Sequence, residues 1–278
     1  MAKSKGLKRF WGEMFFYESE GSGVPLLFLH GTGCDSTDWD LVISELPREQ
    51  RYITLDFRGH GRSTTPIEPF TIECLADDVL NLIYALDVQE IVLVGHSLGG
   101  MVAMEAARRD ARVAALVLLE GWTRLSVTRA AFDAARFYGS LPNETIKEIQ
   151  RKAGMTRERF IERVWGSFWG SVRDFDGWSF LENAKIPIYE VYGEMGRHES
   201  TEELLQIPSN PSIHIRWVPG SGHYLPHERP VAVAEICGNL IAQSRMNVLQ
   251  NRSTFGIYAF GISTGKSSRS PHSFQDPM

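Results

Sequence analysis

Short apolar runs rich in β-branched residues alternate with stretches of helical periodicity along most of the chain. Between residues 71 and 87, apolar side chains recur at every third or fourth position, which is typical of a helix with one buried face. Helices are also predicted over residues 99–109 and 230–244. Strands are predicted over residues 11–17, 25–30, 52–57, 90–95, 113–120, 186–192 and 212–218. The alternation predicts an α/β fold whose mainly parallel sheet is flanked by helices.

Two stretches depart from this alternation. Residues 122–183 have no strand pattern, and their helical patterns are rich in aromatic side chains. They predict a helical lid inserted into a core domain made of residues 1–121 and 184–245. The aromatic rings either line an apolar pocket or pack the lid onto the sheet. Residues 246–278 end in a serine-rich run and predict a poorly ordered tail with no assigned role.

Composition narrows the class of protein. The chain has 278 residues, of which 43% are hydrophobic and 23% are charged, as in globular proteins. The net charge of -5 is too small to favour a particular partner, and the lack of a basic stripe with interleaved aromatic residues argues against nucleic acid. No apolar run approaches the roughly 20 residues of a membrane span, and no secretory signal pattern is present. We therefore expect a cytoplasmic protein with no membrane partner, three reduced cysteines and an oligomeric state that the sequence does not indicate.

The strongest chemical signal is a G-x-S-x-G pattern formed by Gly95-His96-Ser97-Leu98-Gly99. It follows a predicted strand and begins a predicted helix, which is the context that a nucleophilic serine at such a turn requires. The turn presents the hydroxyl group to a cleft, and the helix N-terminus adds a positive field. Ser97 is therefore the predicted nucleophile.

Two glycine-rich loops supply the partners that such a serine needs. The sequence HGTG at residues 30–33 follows a strand, and its amides can point at a developing oxyanion together with the amide of Leu98. Thr32 and Leu98 are the predicted donors, although HGTG alone is equally typical of an ordinary turn. The sequence GSGH at residues 220–223 places His223 on a loop that can bend toward Ser97, so His223 is the predicted base.

These motifs resemble those of the α/β-hydrolase family. The resemblance covers roughly residues 11–244 and rests on HGTG at 30–33, DFRGHGRS at 56–63, GHSLGG at 95–100 and GSGHYLPHERP at 220–230. It implies a triad of serine, acid and histidine and no cofactor. The segment 56–63 matches a structural loop of the family and receives no catalytic role. No metal-binding pattern is present either.

The acid of the triad departs from the family pattern. Many members place an Asp in a G-x-x-D pattern after the penultimate strand, where this chain has Gly193-Glu194-Met195-Gly196. Glu120 offers a replacement, because it ends the strand that follows the nucleophile helix. One subgroup of haloalkane dehalogenases and the zearalenone lactone hydrolases are similar in placing a Glu there. We predict Glu120 as the acid, with Glu194 as the second candidate.

Together these residues predict hydrolysis of a carboxylic ester or lactone through an acyl-enzyme on Ser97. A serine nucleophile argues against the dehalogenase and epoxide hydrolase relatives, which use Asp. The aromatic lid favours an apolar small-molecule substrate. Two alternatives stay open: a C–C bond hydrolase of the same fold, and a ligand receptor that retains the triad but turns over slowly.

Overall fold

The computed structural model describes residues 5–9, 12–127, 136–195 and 204–242. The strands among them are β1 (Lys5–Arg9), β2 (Gly12–Glu18), β3 (Ser22–Leu29), β4 (Gln50–Leu55), β5 (Ile91–His96), β6 (Val113–Leu119), β7 (Ile188–Gly193) and β8 (Ile213–Val218). They form one sheet in the order β1-β2-β4-β3-β5-β6-β7-β8. β2 pairs antiparallel with β1 and β4, and every other neighbouring pair is parallel. The predicted α/β fold with a mainly parallel sheet is confirmed.

The helices connect these strands. They are α1 (Asp40–Ser44), α2 (Ile72–Ala85), α3 (Leu98–Arg109), α4 (Asn143–Arg159), α5 (Glu162–Asp174), α6 (Trp178–Asn183) and α7 (Leu225–Glu228), and residues 230–242 are also helical. All six residues of β5 and all six of β7 are buried. Burial of every residue fits strands that are covered on both faces.

The register of the sheet brings the carboxyl ends of four strands together, β3, β5, β6 and β7. Leu29 pairs with Gly95, His96 pairs with Leu119, and Leu119 pairs with Val191. Ligands of open α/β sheets bind at this edge. The fold therefore places the residues that follow β3, β5 and β6 beside one another, which is where HGTG, Ser97 and Glu120 occur.

Outside residues 122–183, the predictions contain no counterpart for four described elements: β1, α1, the 3-10 turn before α1, and α7. β1 lies at the edge of the sheet, and its run of Lys, Gly, Leu, Lys and Arg lacks the apolar alternation by which strands are recognised. A 3-10 turn over Ser36–Trp39 leads directly into α1. The turn is held by a capping box, in which Asp35 accepts from the Thr37 amide and Asp38 accepts from the Asp35 amide.

Residues 122–183, called the insertion from here on, connect β6 to β7. Their described parts contain a 3-10 turn (Leu125–Val127) and helices α4, α5 and α6. The chain divides into two compact units, Met1–Leu240 and Ile241–Met278, and the insertion belongs to the first unit together with the sheet. The predicted tail, residues 246–278, lies outside the described residues.

Candidate active site

Ser97 occupies the turn between β5 and α3. Its backbone has φ 53° and ψ -116°, a strained conformation for a residue with a side chain. A Cβ atom on Gly99 would lie 2.0 Å from the carbonyl oxygen of Leu29, and one on Gly95 would lie 2.3 Å from the carbonyl oxygen of Gly99. Both positions therefore require glycine, because any side chain would disrupt the turn that presents Ser97.

A cavity with a volume of about 700 Å³ opens at Ser97. Thr32, Leu98 and His223 also line it, so the structure brings these four predicted site residues around one space. The insertion contributes Trp165, Trp169 and Val172 to the wall. Apolar contacts of this kind favour an apolar ligand.

The aromatic residues of the insertion divide between two roles. Trp165 and Trp169 line the cavity. Phe168 instead stacks on Phe70 of the core, with ring centroids 5.2 Å apart. A Cβ atom on Gly59 would lie 1.8 Å from Phe160, which shows how closely the insertion packs against the core at that point. Both roles that the sequence left open are therefore present.

The loop after β3 passes directly beside the serine. A Cβ atom on Gly31 would lie 3.3 Å from the Cβ atom of Ser97. Within the part of the chain that the structure describes, neither the Thr32 amide nor the Leu98 amide donates to a protein acceptor. Leu98 is also the first residue of α3, where the helix dipole favours negative charge. The two amides are thus available to an anionic oxygen in the cavity.

Glu120 lies on the side of His223 that faces away from the cavity. The Glu120 Oε2 atom lies 3.4 Å from the His223 Nδ1 atom, slightly longer than the roughly 2.6–3.2 Å of a tight catalytic hydrogen bond. The other carboxylate oxygen, Oε1, accepts a hydrogen bond of 2.8 Å from the Gly193 amide. Glu120 is 0% exposed. The carboxylate is therefore tethered to the end of β7 while it faces the imidazole.

The chain just after β6 is strained at two residues. Glu120 has φ 53° and Trp122 has φ 50°, both in the left-handed region that residues with side chains rarely adopt. Gly121 lies between them, and a Cβ atom on Gly100 of α3 would lie only 2.4 Å from the Cα atom of Gly121. Strain of this kind persists only where the surrounding structure enforces it, and it is concentrated at functional sites.

Glu194, the second candidate acid, lies elsewhere. It follows β7, its side chain is exposed, and its backbone amide donates to the Val218 carbonyl. No contact joins its carboxylate to His223 among the described residues. Gly196, which stands where the family pattern has an Asp, lies outside the described residues.

The other motif histidines form structural hydrogen bonds. His30 Nε2 accepts from the Phe57 amide at 2.9 Å, and His96 Nε2 donates to the His223 carbonyl oxygen at 2.9 Å. Burial, with the neighbouring His223 as the second cause, lowers the pKa of His96 well below its usual range, which favours the neutral imidazole. Burial likewise lowers the pKa of His60 to about 3. The hydrogen bond from His96 to the His223 carbonyl oxygen fixes the backbone of the predicted base.

Three further side chains near the site were not predicted from the sequence. The Phe137 ring stacks on the His223 imidazole, with centroids 4.6 Å apart and an interplanar angle of 17°. Glu228 accepts a hydrogen bond of 2.9 Å from the Gly222 amide, next to His223. Phe137 lies in a segment without a recognisable motif, whereas Glu228 is part of the GSGHYLPHERP match and carried a signal.

Glu190 is the third unpredicted residue, a carboxyl in the middle of β7. It is 0% exposed, and its Oε2 atom accepts a hydrogen bond of 2.9 Å from the Tyr192 hydroxyl. Among the described residues, its Oε1 atom has no hydrogen-bond partner. Burial raises the pKa of Glu190 to about 7; the Tyr192 hydrogen bond opposes this rise and the charge of Glu120 adds to it. A lone acid inside an apolar strand was visible in the sequence.

The described residues contain no group of three or more metal-ligating side chains that could hold a metal ion. No helix in that part of the chain is both long enough and apolar enough to cross a membrane.

Curated proteins with similar sequences cover parts of this chain. It is 40% identical to a non-heme haloperoxidase of Rhodococcus erythropolis over 163 residues, which are 57% of this chain and 58% of that protein. It is 37% identical to the AB hydrolase superfamily protein YisY of Bacillus subtilis over 107 residues, which are 37% of this chain and 40% of that protein. The chain thus matches less than two thirds of the length of these relatives.

Solved structures with similar folds cover nearly the whole chain. An esterase from Thermogutta terrifontis has a TM-score of 0.67 and 25% identity, over 87% of this chain and 99% of that one. An N-acyl homoserine lactonase has a TM-score of 0.66 and 22% identity, over 86% of this chain and 96% of that one. The model of the Alpha/beta hydrolase family matches residues 26–236, from the third strand to the final helical segment. The chain therefore belongs to the alpha/beta hydrolase family.

Proposed function

We propose that this protein is a serine hydrolase that cleaves a carboxylic ester or lactone with an apolar substrate through an acyl-enzyme on Ser97. The observation that carries the proposal is the strained turn at Ser97, which opens on a cavity that His223 also lines. Glu120 lies 3.4 Å from the imidazole on its Nδ1 side. A serine, a histidine beside it and a buried carboxylate on the far side of the histidine form the arrangement used for acyl transfer.

In the first half of the reaction, the Ser97 hydroxyl attacks the substrate carbonyl. His223 takes the hydroxyl proton at Nε2, because its Nδ1 atom faces Glu120. Glu120 holds the imidazole in the required tautomer and stabilises the imidazolium that forms. The amides of Thr32 and Leu98 donate to the negative oxygen of the tetrahedral intermediate. Collapse of this intermediate expels the alcohol, which receives the proton from His223.

In the second half, water enters where the alcohol has left. His223 takes a proton from the water as the water attacks the acyl carbon. When the resulting intermediate collapses, the Ser97 oxygen leaves and receives that proton from His223. The same two amides stabilise the second intermediate. With a lactone, the alcohol and the acid belong to one molecule, so a single ring-opened product is released.

The wall of the cavity supports an apolar substrate. Trp165 and Trp169 of the insertion face a space of about 700 Å³ that also touches Ser97. The esterase and lactonase whose structures are similar have names that agree with this class of reaction. We therefore assign residues 122–183 as the lid of the site and residues 1–121 and 184–245 as its core domain.

Turnover of a nitrophenyl ester and of a lactone panel tests the proposal. We expect many turnovers per chain for the wild type and none above background for Ser97→Ala. Ser44→Ala is the matched control, because the Ser44 hydroxyl donates a local hydrogen bond to the Leu41 carbonyl oxygen and Ser44 does not line the cavity. A receptor would stall near one event per chain, and a C–C hydrolase would cleave an added diketone in preference to the nitrophenyl ester and the lactones. Either outcome would reject the ester or lactone assignment.

A second experiment tests the substrate class. Trp169→Ala should change the preference among acyl chain lengths, because Trp169 lines the cavity. Trp178→Ala is the control, since this tryptophan of α6 packs against Arg124 instead. Equal profiles of kcat/KM across chain lengths for the wild type and Trp169→Ala would contradict an apolar acyl pocket at this wall.

A cytoplasmic location remains a further part of the proposal. Cys34, Cys74 and Cys237 are unpaired, as expected for thiols in a reducing compartment. Fractionation of the source cells tests it, and recovery of the protein outside the cytoplasm would contradict it.

A further inference from the structure

Residues 136–140 of the insertion contact the loop that carries His223. The His223 amide donates a hydrogen bond of 3.1 Å to the Phe137 carbonyl oxygen. A Cβ atom on Gly222 would lie 2.5 Å from the carbonyl oxygen of Arg136 and 2.7 Å from the Gly139 amide nitrogen. Only a glycine at position 222 permits the two backbones to approach this closely. The backbone of the predicted base is thus attached to residues 136–140, called the docking segment below.

Glu228 joins the same two segments through its side chain. It is 8% exposed, and both of its oxygens lie 2.9 Å from the Gly222 amide. The Oε2 atom also accepts a hydrogen bond of 3.0 Å from the Ser140 amide of the docking segment. Hydrogen bonds to a carboxylate are stronger than neutral ones. A single buried carboxylate therefore holds the docking segment and the His223 loop together.

The docking segment also contacts the imidazole ring itself. The Phe137 ring lies nearly parallel to the His223 ring, at 17° and with centroids 4.6 Å apart. Contact with a flat face restricts rotation of the imidazole about its side-chain bonds. An aromatic face also attracts a cation, so this contact strengthens when His223 becomes an imidazolium during catalysis.

We infer that Phe137 is a positioning residue of the hydrolase, and that the docking segment of the insertion orients the catalytic base. This inference rests on the proposed function, in which His223 is the base. It assigns to the insertion a role beyond shaping the substrate pocket. The sheet holds His223 through Glu120 and His96, and the insertion supplies a ring face, a backbone acceptor and the Ser140 amide bound by Glu228.

Steady-state kinetics of three variants on a nitrophenyl ester test this role. Phe137→Leu removes the ring face and retains an apolar side chain, so kcat should fall about tenfold with a smaller change in KM. Phe137→Tyr retains the ring face and should stay within about threefold of the wild-type kcat. Tyr138→Leu is the comparison: Tyr138 also lines the cavity, but its ring stacks on Tyr224 instead of His223. It should raise KM more than it lowers kcat.

A second variant protects the test against misfolding of Phe137→Leu. Glu228→Gln leaves Phe137 in place and replaces one accepting oxygen by a donor, so the Gly222 and Ser140 amides lose part of their anchor. We expect a severalfold loss of kcat with KM nearly unchanged. Circular dichroism and thermal melting establish that each variant is folded.

The outcomes separate this inference from the proposed function. The wild type should turn over the ester and be labelled at Ser97 by a fluorophosphonate probe. If it does so while folded Phe137→Leu and Glu228→Gln both retain the wild-type kcat, the inference is wrong and the proposed function stands. If the wild type shows neither turnover nor labelling at Ser97, the proposed function fails and the inference fails with it.

Discussion

The ends of β6 and β7 each carry a glutamate, and the protein holds the two in opposite ways. Glu120 is fully buried, its backbone is strained at φ 53°, and its carboxylate contacts the Gly193 amide and His223. Glu194 is exposed and makes no contact with His223 among the described residues. A carboxylate that faces water orients a base poorly, because solvent screens its charge and its side chain remains mobile.

The comparison also shows how one strand end supports the other. The amide of Gly193, at the end of β7, donates to Glu120 Oε1, and this leaves Oε2 to face the imidazole. The end of β7, where the family pattern has its acid, thus helps to position the Glu120 carboxylate at the end of β6. Four substitutions sharpen or break this account.

Glu120→Gln should have the largest effect. The amide keeps the size of the side chain, but the His223 tautomer is no longer imposed, so kcat should fall by about 10³–10⁴. KM should change little, because Glu120 lies behind His223 and not in the cavity wall. Steady-state kinetics on a nitrophenyl ester provide the measurement. A near-normal kcat would show that another group orients the base.

Glu190→Gln should change stability in a pH-dependent way. The pKa of Glu190 is raised to about 7, from 4.5 in the unfolded chain. Between these values the folded state holds a proton that the unfolded state has lost, so the contribution of Glu190 to stability is complete below the lower pKa and is lost as the pH rises through about 7. The loss amounts to roughly 3 kcal/mol at most.

Urea unfolding at about pH 5 and about pH 8 measures this difference. The free energy of unfolding of the wild type should fall between the two pH values by more than that of Glu190→Gln, since the amide cannot ionise. Tyr192→Phe serves as a comparison. It removes the hydrogen bond that opposes the rise in the pKa of Glu190, so its free energy of unfolding should fall between the two pH values by more than that of the wild type. Parallel pH dependence in the wild type and Glu190→Gln would refute the assignment.

Gly100→Ala should disturb the end of β6 without altering any titratable group. The new Cβ atom would lie 2.4 Å from the Cα atom of Gly121, so the backbone beside Glu120 must move. Overpacking of this kind costs about 1–3 kcal/mol of stability. We expect a lower melting temperature together with a reduced kcat. A variant with wild-type values of both would mean that this close contact does not position Glu120.

Glu194→Gln should have the smallest effect. Its side chain is exposed, and surface substitutions usually change stability by less than about 0.5 kcal/mol. We therefore expect kcat and KM within about twofold of the wild type. A loss of kcat that approaches that of Glu120→Gln would invert the comparison and make Glu194 the acid.

Sequence reasoning predicted those parts of the site that depend on short local patterns. The turn at Ser97 needs glycines at fixed positions, and HGTG and GSGH are similarly local, so each was visible as a motif. Glu120 was found by its place at the end of a buried strand, combined with the absence of an acid at Gly196. The strands from β2 to β8 followed from their apolar composition.

The remainder depends on contacts between residues far apart in the chain. The stacking of Phe137 on His223 joins two segments 86 positions apart, and no periodicity marks it. The hydrogen bond from the Ser140 amide to Glu228 likewise arises only after folding. β1 and the turn before α1 were missed because one lacks apolar alternation and the other is too short for a helical period. Glu190 was visible as an acid in an apolar strand, but its hydrogen bond with Tyr192 and its electrostatic interaction with Glu120 were not.

Mapping of the covalent adduct tests the central claim most directly. The protein is treated with a fluorophosphonate probe, digested and analysed by mass spectrometry, with Ser97→Ala and Ser44→Ala treated in parallel. The account predicts one modified site, Ser97, in the wild type and in Ser44→Ala, and none in Ser97→Ala. It also predicts much slower modification of Glu120→Gln, because His223 is then poorly oriented. Modification of another residue, or of Ser97→Ala, would contradict the account.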